Sequence, residues 1–563
     1  MTFKLSSDLL KQAQDYSASS TMKSVVVRFT STTVDPYKVA KSLGGTVRKR
    51  LSLVRGAALR VPYSSLLKLG GLSTVVWSSP DRQIRLNSDP YSDATGASQL
   101  WGGAPDSGGI GRPAAGLNST TAGSSGPETG SSFLIRGAGV GIAVIDTGVN
   151  AADPDLQSAD GGNSRVVHFR DYVGGLTTAY DDNGHGTHVA GIIAGNGVQS
   201  NGQSSGMAPD APLISIKVLD RTGRGNVGDV IDALAWCVEN RDTYAIRIVN
   251  LSLGHDAMES YQTDPLCNAV RQCVANGIAV VCSAGNKGKD PQGNTRYGGI
   301  STPAIEPSAI TVGALNTRGT VARSDDLVCT FSSRGPTNVD QQLKPDLLAP
   351  GNRIASLRVV GSYLDTTFPQ YRVTADNGAS YFSLSGTSMG APQVAGALAL
   401  LIQMNPNLPP NALKAALMYS AERLNLQNAS GAPLTAGISA LTQGAGSLNV
   451  AAAAGVVGAL DGTAAVGSVW LFDLPPAVTY IGGEAVETAQ HIYHSGNRYT
   501  GQSAIDTRYA LYGAGALWSA SPGWGSGVPC TTDGVTADTV LWGDSVLWGD
   551  TVLWGDLNQT PDP

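Results

Sequence analysis

Between residues 137 and 455, short apolar runs alternate with amphipathic stretches. "GVGIAVID" (139–146), "APLISIKVL" (211–219), "YAIRIVNLSLG" (244–254), "GIAVVCSAGN" (277–286) and "AITVGAL" (309–315) are rich in β-branched residues and too short for helices. Between them stand patterns of helical period such as "VGDVIDALAWCVEN" and "DPLCNAVRQCVANG". Strand-like runs that are apolar throughout, separated by helices, predict βαβ crossovers and a largely parallel sheet covered on both faces, an α/β three-layer arrangement. In such sheets ligands gather at the C-terminal ends of the strands. The residues that close these runs, Asp146 and Asn286 among them, therefore become candidates for chemistry.

The flanks read differently. Residues 22–90, after an arm at 1–21, run "SVVVRFT", "DPYKVAKSLGG", "AALRVP", "YSSLLKLGGL", "STVVWSS", which predicts a small ferredoxin-like α+β domain with helices on one face of a sheet. The main domain is expected over 91–455, interrupted at 102–131 by a Gly/Ser/Pro/Ala-rich stretch that reads as a flexible insertion. Residues 456–563 form a β-rich, low-complexity extension that ends in "TVLWGDSVLWGDTVLWGD" (539–556). Its VLWGD unit recurs every six residues, with Trp542, Trp548 and Trp554 in step. Rows of aromatics more often pack than bind, so a packing or docking tail is favoured over a surface-binding role.

Charge separates the same regions. Residues 22–86 carry twelve Lys and Arg against Asp35 and Asp81, a net +10, which leaves −16 for the rest of a chain whose total is −6. That balance excludes a general nucleic-acid binder and suggests an intramolecular electrostatic partner. No window is long and apolar enough to span a membrane, and the opening "MTFKLSSDLLKQAQDYS" lacks the apolar core of a secretory signal. The six cysteines (237, 267, 273, 282, 329, 530) are scattered; Cys267 and Cys273 could pair, or all could be buried thiols.

Three segments combine titratable groups with glycine: "GIAVIDTGVN" with Asp146, "NGHGTHVAGIIAG" with His185, and "SLSGTSMGAPQVAG" with Ser388. A serine ahead of a helix is ordinarily a cap, and becomes a nucleophile only beside a base that takes its proton. Asp, His and Ser are the roles acyl transfer needs: Ser388 attacks, His185 shuttles the proton, Asp146 orients the imidazole. His185 and His188 also form His-x-x-His, yet without the Glu of the zinc-protease motif, so no metal site is assigned and His188 is read as structural. His491 and His494 are read in the same way.

In the order found here, "VIDTGV", "HGTHVAG", "SAGN" and "GTSMGAP" resemble the motifs of the subtilisin-like serine proteases, the subtilases (peptidase family S8). The resemblance runs over about 137–450 and implies a serine endopeptidase of broad specificity acting on proteins or peptides through an acyl-enzyme. It assigns the oxyanion hole to Asn286 with the Ser388 N–H as second donor. It assigns substrate contacts to Gly223, Arg224 and Gly225, to Ser252, Leu253 and Gly254, and to Ala284 and Gly285 beside the first pocket. It makes 22–90 an inhibitory, chaperone-like propeptide of a zymogen, cut by the enzyme between Arg82 and Gly96. It further implies a monomer and an extracellular location, and no required cofactor. Calcium is frequent in the family, and "VQSNGQSSGMAP" (198–209) is an oxygen-rich loop with few carboxylates, so calcium is left open. Gly390 stands where the family usually carries Ala. Two competing readings are a binding protein that uses the fold as scaffold, disfavoured by the complete Asp146, His185, Asn286 and Ser388 set, and a serine-carboxyl peptidase, which would need Glu at 185.

Overall fold

The computed structural model describes residues 4–5, 7–51, 56–80, 94–101, 134–158, 162–258, 260–428, 430–464, 471, 477–494, 497–500 and 551–553. The 102–131 insertion, Cys530, most of the 82–96 processing window and the first two hexads lie outside them. The chain divides into two compact units, Met1–Arg85 and Leu86–Pro563.

In the first unit, β1 (Met22–Phe29), β2 (Thr46–Leu51), β3 (Gly56–Pro62) and β4 (Val75–Pro80) form an antiparallel sheet of order β2-β3-β1-β4. Alternation along β1 buries Val25, Val27 and Phe29 with Ala57, Leu59 and Val61 of β3. Helices α1 (Ser7–Asp15), α2 (Pro36–Ser42) and α3 (Leu66–Gly71) accompany it. Asp35 caps α2 by accepting the Tyr37 N–H at 3.0 Å, ahead of a proline that needs no acceptor. The segment before residue 22 belongs to this core, because α1 and its approach bury Leu5, Leu9 and Ala13 in it.

The second unit is built on β5 (Gly141–Asp146), β6 (Val166–Asp171), β7 (Leu213–Lys217), β9 (Ile246–Leu251), β10 (Ala279–Ser283), β11 (Ile310–Asn316), β12 (Leu327–Val328) and β13 (Leu347–Pro350). They form an eight-stranded sheet of order β12-β11-β10-β9-β5-β7-β6, with β13 also on β11. Every pairing is parallel except β11 with β12. The expected burial on both faces is explicit in β5: Ile142 and Val144 enter one core, Ala143 and Ile145 the other. The first core is closed by α4 (His185–Ala194) and α8 (Thr387–Met404), the second by α5 (Val227–Glu239) and α6 (Pro265–Ala275). This is the mostly parallel three-layer α/β fold that the sequence rhythm predicts.

Smaller elements complete the unit: β8 (Arg224–Asn226), the short α7 (Tyr363–Thr367), and a three-stranded sheet of β14 (Ile354–Ser356), β16 (Ser380–Leu384) and β15 (Arg372–Thr374). The extension supplies two antiparallel pairs, β17 (Val478–Ile481) with β18 (Glu484–Glu487) and β19 (His491–His494) with β20 (Asn497–Thr500). Its last described element is β21 (Thr551–Leu553), which pairs with β8. Cys267 and Cys273 both lie on α6 as buried thiols with no disulfide between them, and Cys237, Cys282 and Cys329 are buried elsewhere. Burial pushes the Cys273 and Cys282 thiols up to about 12, which leaves them unreactive.

Candidate active site

Asp146 is the last residue of β5, and its backbone carbonyl is held by the N–H groups of Val218 and Leu219 at 2.9 and 3.2 Å. Its side-chain Oδ1 accepts the Thr147 N–H at 2.7 Å and faces His185 Nδ1 at 2.8 Å. Both side chains of that pair are fully buried. Glycine makes the approach feasible. Gly148 has φ +111°, and a Cβ there would stand 2.1 Å from the Tyr180 carbonyl; a Cβ on Gly186 would stand 2.2 Å from the Gly148 carbonyl. Strand end and helix start therefore touch backbone to backbone.

Two groups lock this junction. Asp181 accepts the Thr147 hydroxyl (2.9 Å), the Gly184 N–H (2.8 Å), and the N–H and hydroxyl of Thr187 (2.8 and 2.7 Å). The Thr147 hydroxyl in turn accepts the Gly186 N–H at 2.8 Å. From below, the buried Lys217 ammonium donates to the carbonyls of Thr147 and Leu219 at 2.6 and 2.8 Å. His185, the first residue of α4, is thus fixed against Asp146 by main-chain ties, and an acceptor on Nδ1–H directs the basic lone pair to Nε2.

His188 lies one turn further along α4, and its Nε2 faces the carbonyls of Ile354 and Phe382 at 3.2 and 3.0 Å. Burial, reinforced by neighbouring His185, pushes its pKa down to about 3. A neutral ring spent on two carbonyls ties α4 to β14 and β16 and is no metal ligand. His491 is occupied likewise, with Nδ1 2.8 Å from the Ala489 carbonyl.

Ser388 is the second residue of α8, so its N–H is among those at a helix N-terminus without an intrahelical acceptor. Four residues on stands Pro392, which has no N–H to return to the Ser388 carbonyl. The Ser252 hydroxyl takes that place, donating to the Ser388 carbonyl at 3.0 Å, while the Ser388 hydroxyl donates to the Ser252 carbonyl at 3.2 Å. Asn250 supports Ser252 through Nδ2 to Oγ at 3.0 Å. The end of β9 is in this way doubly bonded to the nucleophile candidate.

Asn286 follows β10. Its Oδ1 accepts both the N–H and the hydroxyl of Thr387, at 3.0 and 3.1 Å, which fixes the orientation of the amide. The same hydroxyl accepts the Gly285 N–H at 3.1 Å. Ala284 is buried, and Gly285 has φ +101° where a Cβ would stand 2.4 Å from Ser301 Oγ. Gly390 is explained by crowding: a Cβ there would lie 3.1 Å from the Gly313 carbonyl and 3.2 Å from that of Ala349. Leu253 and Gly254 follow Ser252 at the end of β9, whereas Gly223, Arg224 and Gly225 lie on the separate strand β8 and the turn before it.

The structure therefore brings Asp146 to His185, Ser252 to Ser388, and Asn286 to the residue preceding Ser388. Sequence reading missed Thr387, Asn250 and Asp181. Thr387 stood inside a quoted motif, but the tie from Thr147 to Asp181, 34 residues apart, gave no local signal.

The carboxylates that the oxygen-rich loop meets, Asp153 and Asp155, are satisfied by protein donors. Asp155 accepts the Gln199 N–H and the Tyr381 hydroxyl, each at 2.7 Å, and Asp153 accepts the Asp155 N–H and Gln199 Nε2 at 3.0 and 2.7 Å. Burial raises the Asp153 pKa to about 7. Carboxylates that accept N–H and O–H donors, one of them favouring its neutral form, do not fit a calcium ion. Among the described residues no group of three or more His, Cys, Asp or Glu is placed to hold a metal, and no helix is long and apolar enough to cross a membrane.

The chain is 42% identical to the serine protease AprX of Bacillus subtilis (strain 168) over 294 residues, 51% of this chain and 62% of that one. It is 32% identical to subtilisin DY of Bacillus licheniformis over 289 residues, covering 51% of this chain and 86% of the relative. A crystal structure of a cold-adapted subtilisin-like serine proteinase aligns at 28% identity with a TM-score of 0.39, over 56% of this chain and 90% of that chain. The profile of the subtilase family matches residues 137–446, more than half of the chain and the whole span that carries Asp146, His185, Asn286 and Ser388. The chain belongs to the subtilase family of serine endopeptidases.

Proposed function

We propose that this chain hydrolyses internal peptide bonds by the Asp146, His185, Ser388 triad. The observation that carries the reading is the buried 2.8 Å bond between Asp146 and His185, in a chain whose Ser388 stands at a helix N-terminus. Ser388 Oγ turns from the Ser252 carbonyl, gives its proton to His185 Nε2 and attacks the scissile carbonyl carbon. The oxyanion accepts hydrogen bonds from Asn286 Nδ2 and the Ser388 N–H. The tetrahedral species collapses as His185 returns the proton to the leaving amine, and water then releases the acyl group by the reverse sequence. Asp146 keeps its charge throughout and stabilises the imidazolium. No step passes through a metal.

The β8 turn and the end of β9 are proposed to hold the substrate main chain, which admits many side chains and gives broad specificity. Residues 22–90 are proposed as the inhibitory propeptide. Support comes from the compact unit Met1–Arg85 that contains most of them, from its β2-β3-β1-β4 order with helices alongside, and from a net charge over 22–86 opposite to that of the remainder. Extracellular action and a monomeric state belong to the same proposal.

Intact masses of the full chain and of Ser388→Ala, followed in parallel, test it. The parent should lose 82 to 96 N-terminal residues, the predicted window, and cleave casein; Ser388→Ala should do neither. Processing by Ser388→Ala would overturn the assignment of the nucleophile, and an inert parent would overturn the activity.

A further inference from the structure

Strand β8 stands outside the eight-stranded sheet, and its one strand partner among the described residues is β21. The pairing is antiparallel, with Thr551 opposite Asn226, Val552 opposite Gly225 and Leu553 opposite Arg224. Arg224 spends both of its main-chain groups inward: its N–H donates to Asp220 Oδ1 at 3.1 Å and its carbonyl accepts the Asp220 N–H at 2.7 Å. Main-chain groups alternate sides along a strand, so the N–H and carbonyl of Gly225 face the opposite way, toward Val552. Gly225 itself is required here, because a Cβ would stand 2.2 Å from the Val218 carbonyl.

The partner segment is not an arbitrary piece of chain. Thr/Ser-Val-Leu followed by Trp-Gly-Asp occurs at 539–544, 545–550 and 551–556, so the triplet seated on β8 exists in three nearly identical copies six residues apart. A shift of six residues preserves the parity of a two-residue period, so the three copies carry the same pattern in sequence. One copy of a repeated motif paired as a strand with a strand that has no other partner among the described residues is the arrangement of strand addition, in which main-chain bonds supply affinity and alternate side chains supply selectivity.

We infer that the hexad segment is a tethered peptide ligand of β8, occupying the main-chain positions that an extended substrate would take. The inference rests on the proposed role of β8 as a substrate strand. The tail then competes with substrate reversibly, and tethering gives it an effective concentration on the order of millimolar. Its sequence names the class of peptide the strand accepts: extended, uncharged over three residues and apolar at the second and third.

The test compares the full chain with a chain ending at residue 538, using a fluorogenic peptide substrate. Removal of the tail should lower KM several-fold and leave kcat unchanged, and the synthetic peptide TVLWGD should inhibit the shortened chain competitively. A full-length variant carrying Val540→Pro, Val546→Pro and Val552→Pro should match the deletion if the strand, rather than the mere presence of the tail, is responsible. Equal KM values in all three chains with no inhibition by the peptide would overturn the inference while leaving the protease reading intact. Fluorescence anisotropy of labelled TVLWGD on the shortened Ser388→Ala chain reads binding without turnover. Saturable binding that Gly225→Ala abolishes supports the inference even if no chain cleaves peptides, and absence of binding to several millimolar overturns it.

Discussion

The triad junction and strand β8 lie in the same unit and satisfy their polar groups in opposite ways. At the junction, Asp146 and His185 are fully buried and tied into a closed network by Thr147, Asp181 and Lys217. Along β8, Arg224 and Asn226 are exposed, and one edge of main-chain groups is offered to another strand. Chemistry requires side chains that keep one geometry while charge develops, and Thr147, Asp181 and Lys217 around the pair are already bonded. Recognition of a peptide main chain requires donors and acceptors that the fold leaves for it. Changes at the junction should therefore act on kcat, and changes on β8 on KM.

The sharpest test of that division is Asn286→Ala. It should lower kcat by about 10²–10³ with little change in KM, the range that loss of one oxyanion donor costs in subtilisin itself. A drop confined to KM would mean that Asn286 contacts ground-state substrate only. Thr387→Val comes next. It removes the hydroxyl that bonds Asn286 Oδ1 and the Gly285 N–H while keeping side-chain shape, and should lower kcat about tenfold, the order of one lost hydrogen bond. Thr387→Ser should restore the rate; a Ser variant as slow as Val would show that the methyl, not the hydroxyl, matters.

On the binding side, Gly225→Ala in the chain ending at residue 538 should raise KM several-fold at constant kcat, because the added Cβ meets the Val218 carbonyl and displaces the strand. An equal loss in kcat would break the separation of the two regions. The smallest effect concerns His188. With its folded pKa depressed to about 3 against the ordinary 6.5, the folded state refuses a proton that the unfolded state takes up. Its contribution to stability is complete above about 6.5 and declines as pH falls toward 3. NMR titration of Ser388→Ala should show the His188 ring neutral at pH 5; a midpoint near 6.5 would contradict the burial argument.

Much of this was legible in the chain. Period and composition set the strands of the central sheet because a strand buried on both faces must be apolar at every position, as β5 is from Ile142 to Ile145. Asp146, His185 and Ser388 stood out as candidates because strand-end and helix-start positions have local signatures. The role of Pro392 was written in its missing N–H, though its consequence, the bond from Ser252, was not. The seating of Thr551–Leu553 on β8 had no local signal at all, since period-two patterning names no partner.

By itself the sequence determined which runs could be strands and which strand-end and helix-start residues were candidates for chemistry. Those properties follow from local dihedral freedom and from the alternation of apolar groups. Only the tertiary structure decided that Asp181 would tie Thr147 to α4, that Thr387 would orient Asn286, that Gln199 of the oxygen-rich loop would bond the carboxylates of Asp153 and Asp155, and that a segment more than three hundred residues downstream would pair with β8. These are contacts between groups distant in the chain. Their geometry is set by how the layers pack, and no spacing along the sequence encodes it.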